Sequence, residues 1–360
     1  MNSGAANREA WAALSLRALP QTALAQLLRA FGGPGPILAA TRAQLAAVVP
    51  DPVIARLQAP AAGDALARMQ SWLGEPGHEL IAWDDPDYPK ALLELGYAPP
   101  VLFYVGRREL LNRPALAIVG SRNATPQGLA NARAFALALA DAGLTIVSGL
   151  ALGIDAAAHE GALAGTGSTL AVVGTGLDRV YPARHRDLAH AIAAAGGLVS
   201  EFPPGTPPKE KNFPRRNRLI SGLARGVLVV EAALASGSLI TARYAGEQGR
   251  EVFAIPGSIH SPLAKGCHKL IREGAKLVET AQDILEELGW AGAGAASRPD
   301  AVAIPPCSAL LDALGDDPAD IDTLVARTGI KADAVTAELT ELELAGIVAP
   351  SPGGRWQRRR

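Results

Sequence analysis

The chain has 360 residues, 49% of them apolar, and a formal net charge of −1. That length allows two or three domains with real cores, and the near-neutral balance excludes a polycation that coats nucleic acid along its whole length. Two cysteines, Cys267 and Cys307, exclude a disulfide framework, and no window reaches the ~18 uncharged apolar residues of a membrane helix.

The N-terminus lacks the charged, apolar, small-residue plan of a signal peptide. A cytoplasmic protein with no membrane partner is expected. Residues 1–75 read as short helices: "WAALSLRAL", "TALAQLLRAF", "TRAQLAAVV" and "AGDALARMQSWL" space apolar residues at three and four. "GGPGP" and Pro50/Pro52 punctuate them. The "LLRAFGGPGPILAAT" hairpin suggests a helix-hairpin-helix or SAM-like unit, and an ordinary helical pair with a Gly/Pro turn explains it as well.

Residues 80–290 change texture. Apolar runs of strand length recur, each followed by a Gly-rich turn and a helical stretch. They are "ALAIVG" (115–120), "LTIVSG" (144–149), "TLAVVG" (169–174), "GLVSE" (197–201), "GVLVVE" (226–231), "EVFAIP" (251–256) and "KLVE" (276–279). Continuous runs, rather than alternating ones, predict strands buried on both faces. The alternation of strand and helix predicts an α/β fold, a Rossmann-like, doubly wound, mostly parallel sheet. Residues 291–304 form a Gly, Ala and Pro-rich linker without a period. Residues 305–360 then give three amphipathic helices and a hairpin, the plan of a winged helix. Its third helix carries Asp333, Glu338, Glu341 and Glu343, whereas a helix that reads DNA is normally basic. A protein-binding or self-associating module is the better reading, although the four arginines of the terminal "RWQRRR" keep DNA contact open.

The notable polar residues fall at the carboxyl ends of the predicted strands, where open α/β sheets bind ligands. Ser121 and Arg122 follow the first run, Ser148 and Gly149 the second, and Gly174, Gly176 and Asp178 the third. Gly237, Ser238 and Thr241 follow the fifth, at a helix start. Glycine lets backbone approach a ligand closely, and helix starts bind anions. Each turn alone is also what an ordinary turn looks like; together they lie on one edge and make a phosphate-binding rim. The dinucleotide pattern is absent, because "GTGLDR" has Arg179 where the third glycine belongs. The chain contains no "GK", hence no Walker A, and no GxSxG elbow. Cys267 and His268 have no second cysteine pair, so no metal is expected. Glu201 and Glu231 end strands at the rim. They are candidates for a general base, or for bonds to nearby N–H groups and arginines.

Beside this rim, "EKNFPRRNRLISG" places Arg215, Arg216, Asn217 and Arg218 just after Phe213. Guanidinium forks bind phosphates, and an aromatic face stacks an unpaired base, worth roughly 1–3 kcal/mol. The three arginines cannot all face one way on a helix. One or two are expected to meet phosphate and one to brace the loop. The alternative is a solvated basic helix start with Phe213 in the core.

At these residues the sequence strongly resembles the bacterial DNA-processing protein A family, also called Smf. The matching segments run in order from about 83 to 275: "WDDPDYPKALLEL", "PPVLFYVG", "AIVGSRNATPQG", "IVSGLALGIDAAAHEGAL", "GTGLDRVYP", "LVSEFPPG", "NFPRRNRLISGL", "VLVVEAALASGSLITARYAGEQGREVFAIPG" and "GCHKLIREGA". A local departure is the Arg184–His185 pair, where Glu-Asn is usual. The resemblance implies a non-catalytic protein without a cofactor that binds single-stranded DNA, forms a homodimer and delivers the strand to a RecA-type recombinase in natural transformation. It carries the DNA pocket onto Ser121, Arg122, Ser148, Gly149, Phe213, Arg215, Arg216, Asn217 and Arg218, with Gly237, Ser238 and Thr241 as further members of the rim. The competing reading is a nucleotide-processing enzyme of the phosphoribohydrolase type on a related sheet. Its "PGGxGT" turn is replaced here by "ASGSLIT". A third reading, a pure interaction module built on the acidic C-terminal unit, leaves the arginine cluster unexplained.

Overall fold

The computed structural model describes residues 3–59, 63–96, 98–290, 309–315 and 317–358. The expected linker at 291–304 lies outside them. Six helices come first: α1 (Ser3–Ser15), α2 (Gln21–Phe31), α3 (Pro34–Ala39), α4 (Arg42–Ala46), α5 (Asp51–Gln58) and α6 (Ala65–Leu73). Gly32, at φ +78°, ends α2 in the left-handed conformation that glycine adopts freely. Pro52, read from sequence as punctuation, sits in the first turn of α5, where its missing N–H costs nothing.

A nine-stranded sheet follows. Its strands are β1 (His78–Ala82), β2 (Val101–Gly106), β3 (Ala115–Val119), β4 (Thr145–Ser148), β5 (Thr169–Val172), β6 (Gly197–Ser200), β7 (Gly226–Val229), β8 (Glu251–Ala254) and β9 (Lys276–Leu277). The helices between them are α7 (Lys90–Leu93), α8 (Pro126–Asp141), α9 (Ile154–Ala164), α10 (Arg186–Ala195), α11 (Asn212–Gly222), α12 (Ser238–Glu247), α13 (Lys265–Arg272) and α14 (Ala281–Glu287). The strand order is β1-β2-β6-β5-β4-β3-β7-β8-β9. Every pairing from β6 through β9 is parallel, while β2 runs antiparallel to both β1 and β6. The expected doubly wound sheet is present, extended at one edge by an antiparallel pair that the predicted set of strands omits.

Side chains alternate across this sheet with period two. Leu116 and Ile118 of β3 pack under α8, α9 and α14, and Ala115, Ala117 and Val119 face α11, α12 and α13. Every residue of β3, β4, β5 and β7 is buried, which is why their sequences are continuous apolar runs. The six N-terminal helices pack against the antiparallel edge, where Leu80, Val101 and Phe103 join Trp11, Leu27, Ile54 and Trp72 in one core.

The C-terminal unit is the expected winged helix: α15 (Ala309–Leu314), α16 (Ile321–Thr328) and α17 (Ala332–Leu344), then the hairpin β11 (Val348–Ser351) and β12 (Arg355–Arg358). A short strand, β10 (Ala319–Asp320), pairs with β12. Leu310, Leu314, Leu324, Val335 and Leu339 form its own core. Among the described residues no helix is long and apolar enough to cross a membrane.

Candidate nucleic-acid interface

The sheet order dictates where a ligand can sit. β3 and β7 are neighbours, but the chain leaves β3 through α8 toward β4 and leaves β7 through α12 toward β8. Their exit loops diverge and open a crevice at the switch point. At Gly120 the two exits nearly touch: a Cβ there would lie 2.6 Å from Ile154 and 2.9 Å from the Glu231 carbonyl oxygen. The Ser121 N–H donates to that carbonyl at 2.7 Å, and the Ser121 hydroxyl accepts from Asn123 N at 3.1 Å. This tight turn throws Arg122 outward. Its guanidinium is exposed, lies 5.9 Å from the centroid of the Phe213 ring, and forms no ion pair with any described residue.

Thr125 then starts α8. Its hydroxyl accepts from Gly128 N at 2.9 Å and donates to Glu231 Oε1 at 2.6 Å, and its N–H donates to Glu231 Oε2 at 2.9 Å. Gly128 is obligatory here, because a Cβ would land on the Glu231 carboxyl group. Burial pushes the Glu231 pKa up, against the pull of the two Thr125 bonds. Of the two readings left open for this carboxyl, the bonded one holds. Glu201 likewise accepts from Arg215 at 2.8 Å and from Arg218 at 2.5 Å.

Beyond β4, the Ser148 hydroxyl donates to the Ile118 carbonyl at 2.6 Å and is fully buried. Asp155 Oδ2 accepts from Gly149 N at 3.1 Å and from Ala151 N at 3.3 Å. Arg216 reaches across from α11: Nη1 donates to the Gly149 carbonyl at 2.6 Å and to the Val172 carbonyl, and Nε donates to Asn217 Oδ1 at 3.2 Å. Arg216 is 4% exposed. Burial lowers its pKa to about 10, with Asp155 pulling the other way, so it stays charged at neutral pH. Burial raises the Asp155 pKa, and Arg216 and the two amides oppose that rise. His159, one turn along α9, is buried between Thr169 Oγ1 at 2.8 Å and the Leu150 N–H at 3.3 Å. Burial and the Arg216 charge lower its pKa to about 3. Since Nε2 accepts from Leu150, Nδ1 carries the proton, and the ring is neutral.

The helical turn of α11 sorts the arginine stretch. At 100° per residue, Phe213, Arg216 and Asn217 share one side, and Arg215 and Arg218 share the other. Phe213 is half-buried, its ring resting on Gly174, where a Cβ would come within 2.9 Å of the ring. Asn217 Nδ2 donates to the Gly237 carbonyl at 3.3 Å, which ties α11 to the exposed residue that precedes α12. There the Ser236 and Ser238 hydroxyls are 2.7 Å apart. Arg215 and Arg218 converge on Glu201, whose side chain is 1% exposed; Arg218 is 13% exposed and Arg215 61%.

The structure therefore brings Arg122, Phe213, Asn217 and Gly237 together around the crevice. Ser121, Ser148, Gly149, Arg216, Ser238 and Thr241, all expected to line it, lie beneath its surface, buried and in several cases bonded to backbone. Arg215 and Arg218 point away from Phe213. Tyr181 is a residue that sequence reasoning missed: it is 48% exposed with its ring 5.5 Å from that of Phe213. The only aromatic in "GTGLDRVYP" was the available signal. An unpaired guanidinium near one aromatic ring, which has a second ring beside it, can hold a phosphate and stack a base. No group of three or more His, Cys, Asp or Glu among the described residues could hold a metal ion.

The sequence profile described as DNA recombination-mediator protein A matches residues 79–289, and one described as DprA winged helix domain matches 294–354. The chain belongs to the DNA recombination-mediator protein A family. It is 47% identical over 302 residues to Protein Smf of Escherichia coli, which covers 80% of each chain. Among solved structures it is similar to DNA processing protein A of Streptococcus pneumoniae, at 39% identity and a TM-score of 0.66, covering 77% of this chain and 97% of that one. It is also similar to DNA processing protein A of Helicobacter pylori, a structure that concerns a single-stranded DNA binding mode, at 32% identity and a TM-score of 0.54, covering 58% and 95%.

Proposed function

We propose that this chain binds single-stranded DNA at the crevice between the β3 and β7 exits and acts there without catalysis. Arg122, Phe213, Asn217 and Gly237 meet the strand there, and the exposed Arg215, on the far side of α11, meets it only where the strand leaves the crevice. Ser121, Ser148, Gly149, Arg216, Arg218, Ser238 and Thr241 hold those groups in place. The observation that carries the reading is the exposed Arg122 guanidinium over the half-buried face of Phe213, at the switch point of the sheet. On this reading the chain works as a cytoplasmic homodimer that protects an incoming strand and passes it to a RecA-type recombinase, in natural transformation where the host performs it.

The test is fluorescence anisotropy with a labelled strand of ~30 nucleotides and the matching duplex, across a salt series. The chain should prefer the single strand. Arg122→Ala and Phe213→Ala should each weaken binding by roughly 5- to 150-fold, the equivalent of ~1–3 kcal/mol for one lost stack or charged contact. Equal affinity for both DNA forms, or no loss in either variant, would overturn the assignment. Loading is tested separately, by adding the protein to recombinase on strands precoated with single-strand-binding protein. Faster filament formation with the wild type and not with Arg122→Ala is expected.

A further inference from the structure

Beyond Tyr181 the same loop walls a second concavity. It is a cleft of about 320 Å³, near the lower bound of roughly 300 Å³ for ligand pockets. Its lining includes apolar Leu177, Val180 and Leu198 and basic Arg179, Arg186 and His190. The acid among its lining residues, Asp178, is already occupied: Oδ1 accepts from Gly205 N at 2.8 Å and Oδ2 from Arg179 at 2.9 Å. That ion pair is exposed, so it is weak and readily exchanged for a phosphate. Arg186 makes no ion pair with any described residue. His78, on the opposite wall, is clamped by Trp72: the rings stack at 4.4 Å and Nδ1 lies 2.9 Å from the Trp72 carbonyl.

One short chain segment contributes to both the cleft and the first site. Arg179, Val180 and Ala183 line the cleft, and Tyr181 between them touches Phe213 at 5.5 Å. Half-buried Leu177, Val180 and Leu198 with exposed Arg179 and Arg186 beside them suit a nucleotide, the base against the apolar side chains and the phosphate against the guanidinium groups. We infer that this cleft is a second nucleotide subsite, which takes a nucleotide of the same strand next to the one stacked on Phe213, with Tyr181 as the step between them. The inference rests on the single-strand reading above.

The experiment uses the full chain and labelled oligothymidylates, one of about four nucleotides and one of about 16, the range of site sizes on single-strand binding folds. The variant is Arg179→Ala with Arg186→Ala, two exposed positions whose folding is checked by thermal unfolding. On the long strand its affinity should fall tenfold or more, and its log–log salt slope should flatten by about 1.4, two phosphates at ~0.7 each. On the short strand it should stay within twofold of wild type. Unchanged affinity and slope on the long strand, while Arg122→Ala still weakens both lengths, would overturn the subsite and leave the first site standing. Loss of neither length in Arg122→Ala would overturn both. Titration calorimetry with thymidine monophosphate separates the sources. Weak binding that the long strand displaces is expected; binding that the strand leaves in place would make the cleft an independent nucleotide site and overturn the inference.

Discussion

At the scale of single residues, charge and burial divide the arginine stretch into exposed and buried members. Arg216 has the most demanding environment. It is buried against Asp155 and bonded to two strand-end carbonyls. Removing it leaves the Asp155 carboxyl buried without its counter-charge, and breaking such a pair costs about 3–5 kcal/mol. Arg216→Ala should therefore lose stability on that order in urea unfolding, whereas Arg215→Ala, which truncates an exposed side chain, should change it by under about 1 kcal/mol. His159 makes a pH prediction. Its folded pKa is lowered from 6.5 to about 3, so the unfolded state binds the extra proton between those values. Its contribution is fully present above pH 6.5 and declines as pH falls toward 3. From pH 7.5 to 5.5 the loss is about 1.4 kcal/mol, one unit of pKa-equivalent free energy below 6.5. Denaturant midpoints of wild type and His159→Gln at the two pH values check it. The Gln variant, which keeps a donor and an acceptor, should lack that part of the pH dependence. The roles of these residues were only partly readable from sequence. That three adjacent arginines must diverge follows from helical geometry. Which one goes under depends on the neighbouring strand ends, and those are set by the sheet order.

At the scale of elements, sequence and structure agree where burial is complete. The runs at 115–120, 144–149, 169–174 and 226–231 are mostly apolar because each strand has helices on both faces, and the helix start expected at Ser238 is where α12 begins. The antiparallel pair β1–β2 escaped because its first strand, "HELIA", is half-covered at the outer end. The short helix α5 escaped because Pro50 and Pro52 read as breaks, whereas α3 is the second member of the expected helical pair. The rim itself depends on turns that sequence marks only as Gly-rich. At Gly153 the requirement is specific: φ is +75°, and a Cβ would land on the Ser121 carbonyl oxygen. That carbonyl accepts from Ile154 N at 3.1 Å, which fixes the start of α9 against the turn bearing Arg122. Gly153→Ala should cost about 1–3 kcal/mol of stability through backbone strain and also weaken single-strand binding, because the displaced neighbour, Arg122, carries the proposed phosphate contact. Urea unfolding and anisotropy on the same preparation check both halves. An Ala variant with wild-type values in both would show that the turn can relax without moving Arg122.

At the scale of the whole molecule, the acidic winged helix sits beside a basic rim. β12 packs near the start of α8, where Gln357 Oε1 accepts from Gln127 N at 3.5 Å, two residues beyond the capping Thr125. A winged helix placed there could read DNA or could serve another partner, and charge decides between the two. Asp333, Glu338, Glu341 and Glu343 on α17 repel a phosphate backbone, and a helix that enters a groove needs the opposite sign. The unit also has its own core, separate from the cores that build the sheet, so its removal leaves the crevice with its strands and its switch point. A chain ending at residue 304 should therefore bind single strands with an affinity within twofold of the full chain, or slightly tighter as the acidic neighbour leaves. Its salt slope should be unchanged, because no phosphate contact is lost. Anisotropy on the two chains measures both quantities. A tenfold loss, with a slope flatter by about 0.7 for each missing phosphate, would place part of the DNA interface on the wing, where Arg355 and Arg358 of β12 supply the positive charge that α17 lacks.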